Sequence, residues 1–272
     1  YFYSKIFHCV LEYLLNIVND LPVLMVIFSR VGGMLLFAPV FGNAIVPLQV
    51  RVAIALMFTF ILYPNVDKTP FTLPSNIILY TFVFLKEIAI GAVVGFAASI
   101  IFGAFTAAGY LISNQMGLDT ASIVDPTSET GEEEQTISIL YNMIAVLIFL
   151  TINGHHWFIK STVQSFDMIP LGSFKYTTMT LTKILTMFKS FLVMGIKISA
   201  PSLVVLLLTV VVLGLMTKVA QEINVFIIAF PVKILIGFVM LIITLPFVIN
   251  AMKSHLILFE KDIVSLLFVM RE

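Results

Sequence analysis

The chain has 272 residues, 60% of them hydrophobic and 11% charged, with a formal net charge of zero. A soluble domain carries about 25% charged residues, so most of this surface faces something other than water. The neutral balance leaves no basic footprint for nucleic acid, and a single cysteine, Cys9, excludes an intrachain disulfide and a thiolate zinc cluster. With a mean hydropathy of +1.09, an all-α, multi-helix integral membrane protein is expected, with long, broken helices and helical hairpins. No basic stretch followed by a small-residue cleavage site opens the sequence, so no signal peptide is expected.

Residues 1–20 place Ile6, Phe7, Val10, Leu11, Leu14, Leu15 and Val18 at helical spacing among polar residues, which predicts an amphipathic or short embedded helix. Leu21 to Phe41 has the length of a membrane span and holds Arg30 near its middle. Gln49 to Tyr63 predicts a second, shorter apolar helix between Arg51 and Pro64. Residues 76–112 are helix-compatible throughout, as one helix or as two meeting at Lys86-Glu87. Along them Gly91, Gly95, Ser99, Gly103 and Ala107 recur at four-residue steps, a spacing that puts small residues on one face and lets another backbone approach.

Leu111 to Thr136 is the one long polar segment. It carries six acids (Asp119, Asp125, Glu129, Glu132, Glu133, Glu134) and no Lys or Arg. Gly117, Gly131 and Asp125-Pro126 punctuate it, so it should not be one uninterrupted helix. Its first half is not simply hydrophilic: Met116, Leu118, Ala121, Ile123 and Val124 are apolar or small. A loop that buries one side, followed by an acidic, solvated flank, is expected.

Apolar sequence resumes at Ile137 to Ile152, followed by NGHHWFIK (153–160) and a section closed by Pro170 and Gly172. A Thr-rich connection (173–182) leads to a long apolar run, Lys183 to Leu215, in which Pro201 predicts a kink. A short turn (216–224) and a second run, Val225 to Val248, complete a helical hairpin. Residues 251–272 form an amphipathic tail. Lys160, Lys175, Lys183 and Lys189 cluster on one connection, as in a cytoplasmic loop, though the charges elsewhere leave the topology open.

Five charges, Arg30, Lys86, Glu87, Lys197 and Lys233, lie inside apolar runs. Each would cost roughly 2.5–3.5 kcal/mol facing lipid at mid-depth, so these helix faces should meet protein or water. Lys86 and Glu87 are neighbours, leave the helix on different faces and should pair with other segments. A proton or ion relay through these charges is the main rival reading, an independent ion-coupled transporter. Such transporters often carry internal repeats, and the two halves show no convincing self-similarity. A scaffold without a conduit is a third reading.

No catalytic motif is present. His155 and His156 point about 100° apart on a helix and cannot chelate one ion from one face. HxxxH, HExxH, CxxC and a phosphate loop are all missing, and Glu132 to Glu134 lack the spacing of a calcium loop. No enzyme, metal or cofactor is therefore expected.

Four stretches, in order, resemble the FliR family of flagellar export proteins, called SctT in the virulence secretion systems. They are GMLLFAPVFGNAIVPLQVRVAIALMFTFILYP (33–64), KEIAIGAVVGFAASIIFGAFTAAGYLISNQMGLDTASIVDPTS (86–128), LTINGHHWFI (150–159) and QEINVFIIAFPVKILIGFVMLIITLP (221–246). The sequence around Gln115-Met116-Gly117 and Ser122 to Pro126 looks more like the flagellar branch; the acidic run 132–134 is less typical of the family. The resemblance implies a subunit of the type III export gate in the bacterial inner membrane, at the flagellar basal body. It would assemble with FliP and FliQ in a helical, pore-forming ring, with FlhB and FlhA nearby and unfolded flagellar proteins as substrates. It further implies a FliP-like part (1–180) containing a plug loop (111–136), a FliQ-like hairpin (183–250) and the tail (251–272). The loop after the Gly-rich helix would project into the pore. Gln115, Met116, Gly117, Leu118, Ile123, Val124, Asp125 and Pro126 are its candidate gating residues, with Met116 a soft seal. Arg30, Arg51, Lys86, Glu87 and Lys233 are candidates for inter-helix or inter-subunit ion pairs.

Overall fold

Apolar runs uninterrupted by Gly-Pro breaks become helices longer than a bilayer is thick. The computed structural model describes residues 20–39, 46–67, 76–118, 136–174, 177–219 and 225–271. Among them it has seven helices and no strand: α1 (Leu21–Phe37), α2 (Leu48–Leu62), α3 (Ile77–Met116), α4 (Thr136–Thr151), α5 (Gly154–Met168), α6 (Thr178–Val219) and α7 (Val225–Arg271). At 1.5 Å per residue, the 40 residues of α3 extend about 60 Å, twice the hydrocarbon thickness of a membrane. Three helices, α3, α6 and α7, are long and apolar enough to cross a membrane, and α4 with α5 makes a fourth if the bent pair is one span. The chain is an all-α membrane protein.

Helix ends follow local chemistry. Pro22 sits in the first turn of α1, where its missing N–H is not needed. Ala38 turns extended before Pro39, which disfavours the helical conformation in the residue ahead of it. The span expected over Leu21 to Phe41 is therefore only 17 residues, about 25 Å, and too short to cross alone. α2 follows Pro47 and gives way near Pro64, within one residue of the expected bounds.

α3 passes through Lys86-Glu87 without a break. It also extends further than expected, through Met116, so the first turn and a half of the polar segment is helix. Gly117 ends it with φ 80°, and its N–H is shared by the carbonyls of Ser113 and Asn114. That left-handed glycine is the usual helix stop. The loop expected beyond it, 119–135, lies outside the described residues, as does the helix expected at the N-terminus except for Asp20.

α4 and α5 meet at a 71° bend. Asn153 stands at the corner with φ 57°, a conformation that asparagine tolerates better than most residues. α6 begins inside the expected Thr-rich connection and runs on past Pro201 to Val219, and the turn after it (220–224) lies outside the described residues. The expected tail is not separate: α7 runs without a break from Val225 through Pro231 and Pro246 to Arg271. Its last turns bury Leu256, Phe259, Ile263, Leu266 and Leu267, while Lys253 and Lys261 stay exposed, which is the amphipathic pattern seen in the sequence.

Contacts divide the chain into two compact units, neither continuous in sequence. The first comprises Tyr1–Ser99, His156–Ile184 and Ile263–Glu272; the second, Ile100–His155 and Leu185–Asp262. In the first, α1 packs on the opening half of α3. In the second, the later part of α3 packs on α4 and α6. There Gly109 lies against the backbone of Ile137 and Ser138, and Gly195 against the Ala104 carbonyl. Phe102 stacks edge-on to Phe149 at 5.5 Å.

Candidate functional site

The first unit is tied together by one buried ion pair. Arg30 of α1 is 1% exposed and Glu87 of α3 is fully buried, with 2.5 Å between Nε and Oε2. The guanidinium also donates from Nη1 to the Ser165 carbonyl at 2.8 Å and from Nη2 to the Ile169 carbonyl at 3.0 Å. The Ser165 carbonyl lies in the last turn of α5, where it also accepts the Ile169 N–H at 3.0 Å, and the Ile169 carbonyl lies just past the helix end. A cation there is doubly favoured, by hydrogen bonding and by the negative end of the helix dipole. The Phe166 ring lies 4.3 Å from the guanidinium carbon. Glu87 uses its other oxygen, Oε1, to accept the Gly172 N–H at 2.8 Å. Gly172 has φ 76°, so the turn that brings its N–H inward suits glycine.

Three N–H sites of Arg30 and both oxygens of Glu87 are thus committed. The cluster joins α1, α3, the end of α5 and the turn after it. Chemically it is an anchor, with the two charges bonded to each other and to backbone groups. Among the described residues no three His, Cys, Asp or Glu side chains come together as a metal site.

Close backbone approach reinforces the anchor. A Cβ on Gly91 would collide with the Arg30 carbonyl oxygen, and one on Gly95 with that of Met34. A Cβ on Gly33 would sit 2.5 Å from the Ile88 oxygen. The small-residue row does not keep to this contact, however. Ser99 is half-buried and bonds its own helix at Phe96, while Gly103 and Ala107 are exposed, with nothing within 4 Å of a Cβ at Gly103. A four-residue step overshoots one turn by about 40°, so four steps carry the row about 160° round the helix.

Of the candidate gating residues, Met116 is fully buried and its side chain fills the space left by Gly237 of α7, where a Cβ would be 2.5 Å from Cγ. Gln115, Gly117 and Leu118 are half-buried at the helix end. Ile123, Val124, Asp125 and Pro126 lie outside the described residues. Among the remaining charges, Arg51 is half-buried and donates Nε–H to the Val46 carbonyl at 3.0 Å. Lys86 is exposed, and Lys233 is half-buried beside Val210, Thr217 and Phe230. The structure brings Arg30 and Glu87 together and leaves Lys86 on another face.

Sequence reasoning missed Ser165, Phe166, Ile169 and Gly172, as well as Gly109 and Gly237. The only available signal for the first four was the Pro170–Gly172 break. It marks a helix end, and a helix end needs partners for its carbonyls.

The model of a family described as bacterial export proteins, family 1, matches residues 21–258. The chain belongs to this family, the FliR/SctT family. The matched span includes every residue of the Arg30–Glu87 anchor and all of α1 to α6. The chain is 29% identical over 219 residues to the flagellar biosynthetic protein FliR of Escherichia coli K12, covering 80% of this chain and 82% of that protein. It is 26% identical over 247 residues to FliR of Bacillus subtilis, covering 88% and 92%. The surface presentation of antigens protein SpaR of Shigella flexneri is 26% identical over 214 residues, covering 78% and 80%. The FliR/SctT family is a component of the export apparatus, not an enzyme family.

Proposed function

We propose that this chain is a subunit of the flagellar type III protein export gate in the bacterial inner membrane. It forms, with FliP and FliQ and next to FlhB and FlhA, the channel for unfolded flagellar proteins, and residues 113–126 help to close that channel. The observation that carries this reading is the unbroken family match over residues 21–258, with relatives named as flagellar FliR proteins aligning over about four-fifths or more of their length.

Physical features support the gating role. A plug needs a stem that does not move when it is pushed. α3 has one in its last turns, held at Gly109 against Ile137 and Ser138 and at Met116 in the space left by Gly237, and the candidate loop starts there. The ion-coupled transporter is weakened by the buried anchor, because Arg30 and Glu87 are spent on each other and on backbone groups. The test is a strain lacking this gene. Flagellar proteins should be missing from its medium and return with a plasmid copy of the chain; normal secretion without it would contradict the reading.

A further inference from the structure

In the second unit a half-buried lysine lines an apolar pocket. Lys233 of α7 borders a space of about 270 Å³ near the hairpin end of α6 and α7, whose other walls include Val210, Leu213, Ala229 and Phe230. The one hydroxyl in the lining, Thr217, is turned to its own helix at the Gly214 carbonyl, 2.7 Å away. Among the described residues no hydrogen bond or ion pair reaches the Lys233 ammonium. A charge set against apolar walls costs free energy unless an anion meets it. The acids of this unit are few. Glu260 and Asp262 lie about 40 Å further along α7. The others are Glu222, ahead of α7, and the six of the segment that follows α3, which holds no Lys or Arg.

The direction of α3 selects among them. α6 and α7 run antiparallel, with the Ser202 and Thr244 hydroxyl oxygens 3.5 Å apart and the Phe191 and Phe259 rings 6.2 Å apart. The later half of α3 lies along this hairpin. Its Ala104 carbonyl is against Gly195 of α6, on the side of the Ser202–Thr244 pair away from the hairpin turn. Its Met116 fills the space at Gly237 of α7, on the side towards the turn. α3 therefore climbs beside α6 towards the turn, and it ends within reach of Lys233, which lies one helical turn, about 6 Å, beyond Gly237. Asp119 follows Met116 by three residues, a stretch that spans up to about 10 Å. Glu222 starts further off, since Val225, the first residue of α7, is already about 12 Å from Lys233 along the axis. We infer that the Lys233 pocket is the docking site for the acidic segment after α3, with Asp119 supplying the carboxylate that meets the ammonium. The contact is internal to the second unit and holds whether or not the export reading is right.

The full chain, with whatever subunits it holds, is extracted from membranes in mild detergent and treated with a water-soluble carbodiimide. This reagent joins an amine to a carboxylate without a spacer, so it links pairs already in contact, and mass spectrometry of the digest identifies them. Lys233 should be joined to Asp119. Linkage of Lys233 to Glu222, linkage to an acid of another subunit, or no linkage at all overturns the inference. A second readout is the rate at which a glutamate-specific protease cuts the segment between Glu129 and Glu134. Asp119→Asn and Lys233→Gln should each speed cutting several-fold, because either change releases the segment from the hairpin. Exchanging the charges, Asp119→Lys with Lys233→Asp, should return cutting close to the wild-type rate, which a loss of packing alone would not do. An exchange variant cut as fast as the single variants overturns the inference, as does a wild-type rate in both single variants.

Discussion

Glu87→Gln leaves the Arg30 guanidinium buried with no anion beside it. Breaking a buried pair from one side typically loses about 3–5 kcal/mol, and the same is expected for Arg30→Gln. Removing both with Arg30→Met and Glu87→Met should be strongly non-additive, losing little more than either single change. The double variant still leaves the Ser165 and Ile169 carbonyls and the Gly172 N–H without these partners, so it should not regain wild-type stability. Thermal unfolding of the detergent-solubilised chain measures all three, and additive losses would show that the pair does not act as a unit. A second pair of substitutions separates the two ends of the small-residue row. Gly91→Ala drives a methyl into the Arg30 carbonyl and should lose roughly 1–3 kcal/mol, whereas Gly103→Ala, in open space, should gain up to about 1 kcal/mol.

At the scale of the element, α3 is the stem on which the proposed gate depends. Deleting residues 113–126 removes its last turn and the start of the polar segment. The expected outcome is a raised ion leak through the assembled complex in planar bilayers, and unchanged conductance would separate this segment from closure. The stem itself was legible in the sequence, because residues 76–112 contain no Gly-Pro break and a lone charged pair does not stop a helix. Its true end was not. Leu111 to Gln115 look like loop by polarity, yet the chain stays helical until Gly117 supplies a left-handed stop. The four-residue row misled for a geometric reason, since it drifts round the helix and only Gly91 and Gly95 face α1. The anchor was half legible. Charges at Arg30 and Glu87 inside apolar runs announced buried partners. That the two meet across 57 residues, and take backbone groups from the end of α5, leaves no local trace in the chain.

At the scale of the whole molecule, much apolar surface stays uncovered. Leu207, Leu208, Val211, Val212 and Leu215 of α6 are exposed, as are Ile242 and Ile243 of α7. Lipid could cover such faces, but it would not suit Lys86 and Lys197, which are exposed on the long apolar helices α3 and α6. Each would cost roughly 2.5–3.5 kcal/mol against hydrocarbon, so these faces point to neighbouring subunits or water. Lys86→Glu should therefore weaken assembly while leaving the unfolding temperature of the isolated chain unchanged, because the side chain lies outside the anchor. Equal recovery of the complex with and without this change would assign Lys86 to water. The most direct measurement is the mass of the assembly. The chain, tagged and co-expressed with FliP and FliQ of the same organism, is purified through its tag and weighed intact. A large complex holding both partners and a single copy of this chain is the predicted result. A lone chain or a homo-oligomer, with both partners well expressed, would contradict membership of the gate and return the ion-coupled transporter to the front.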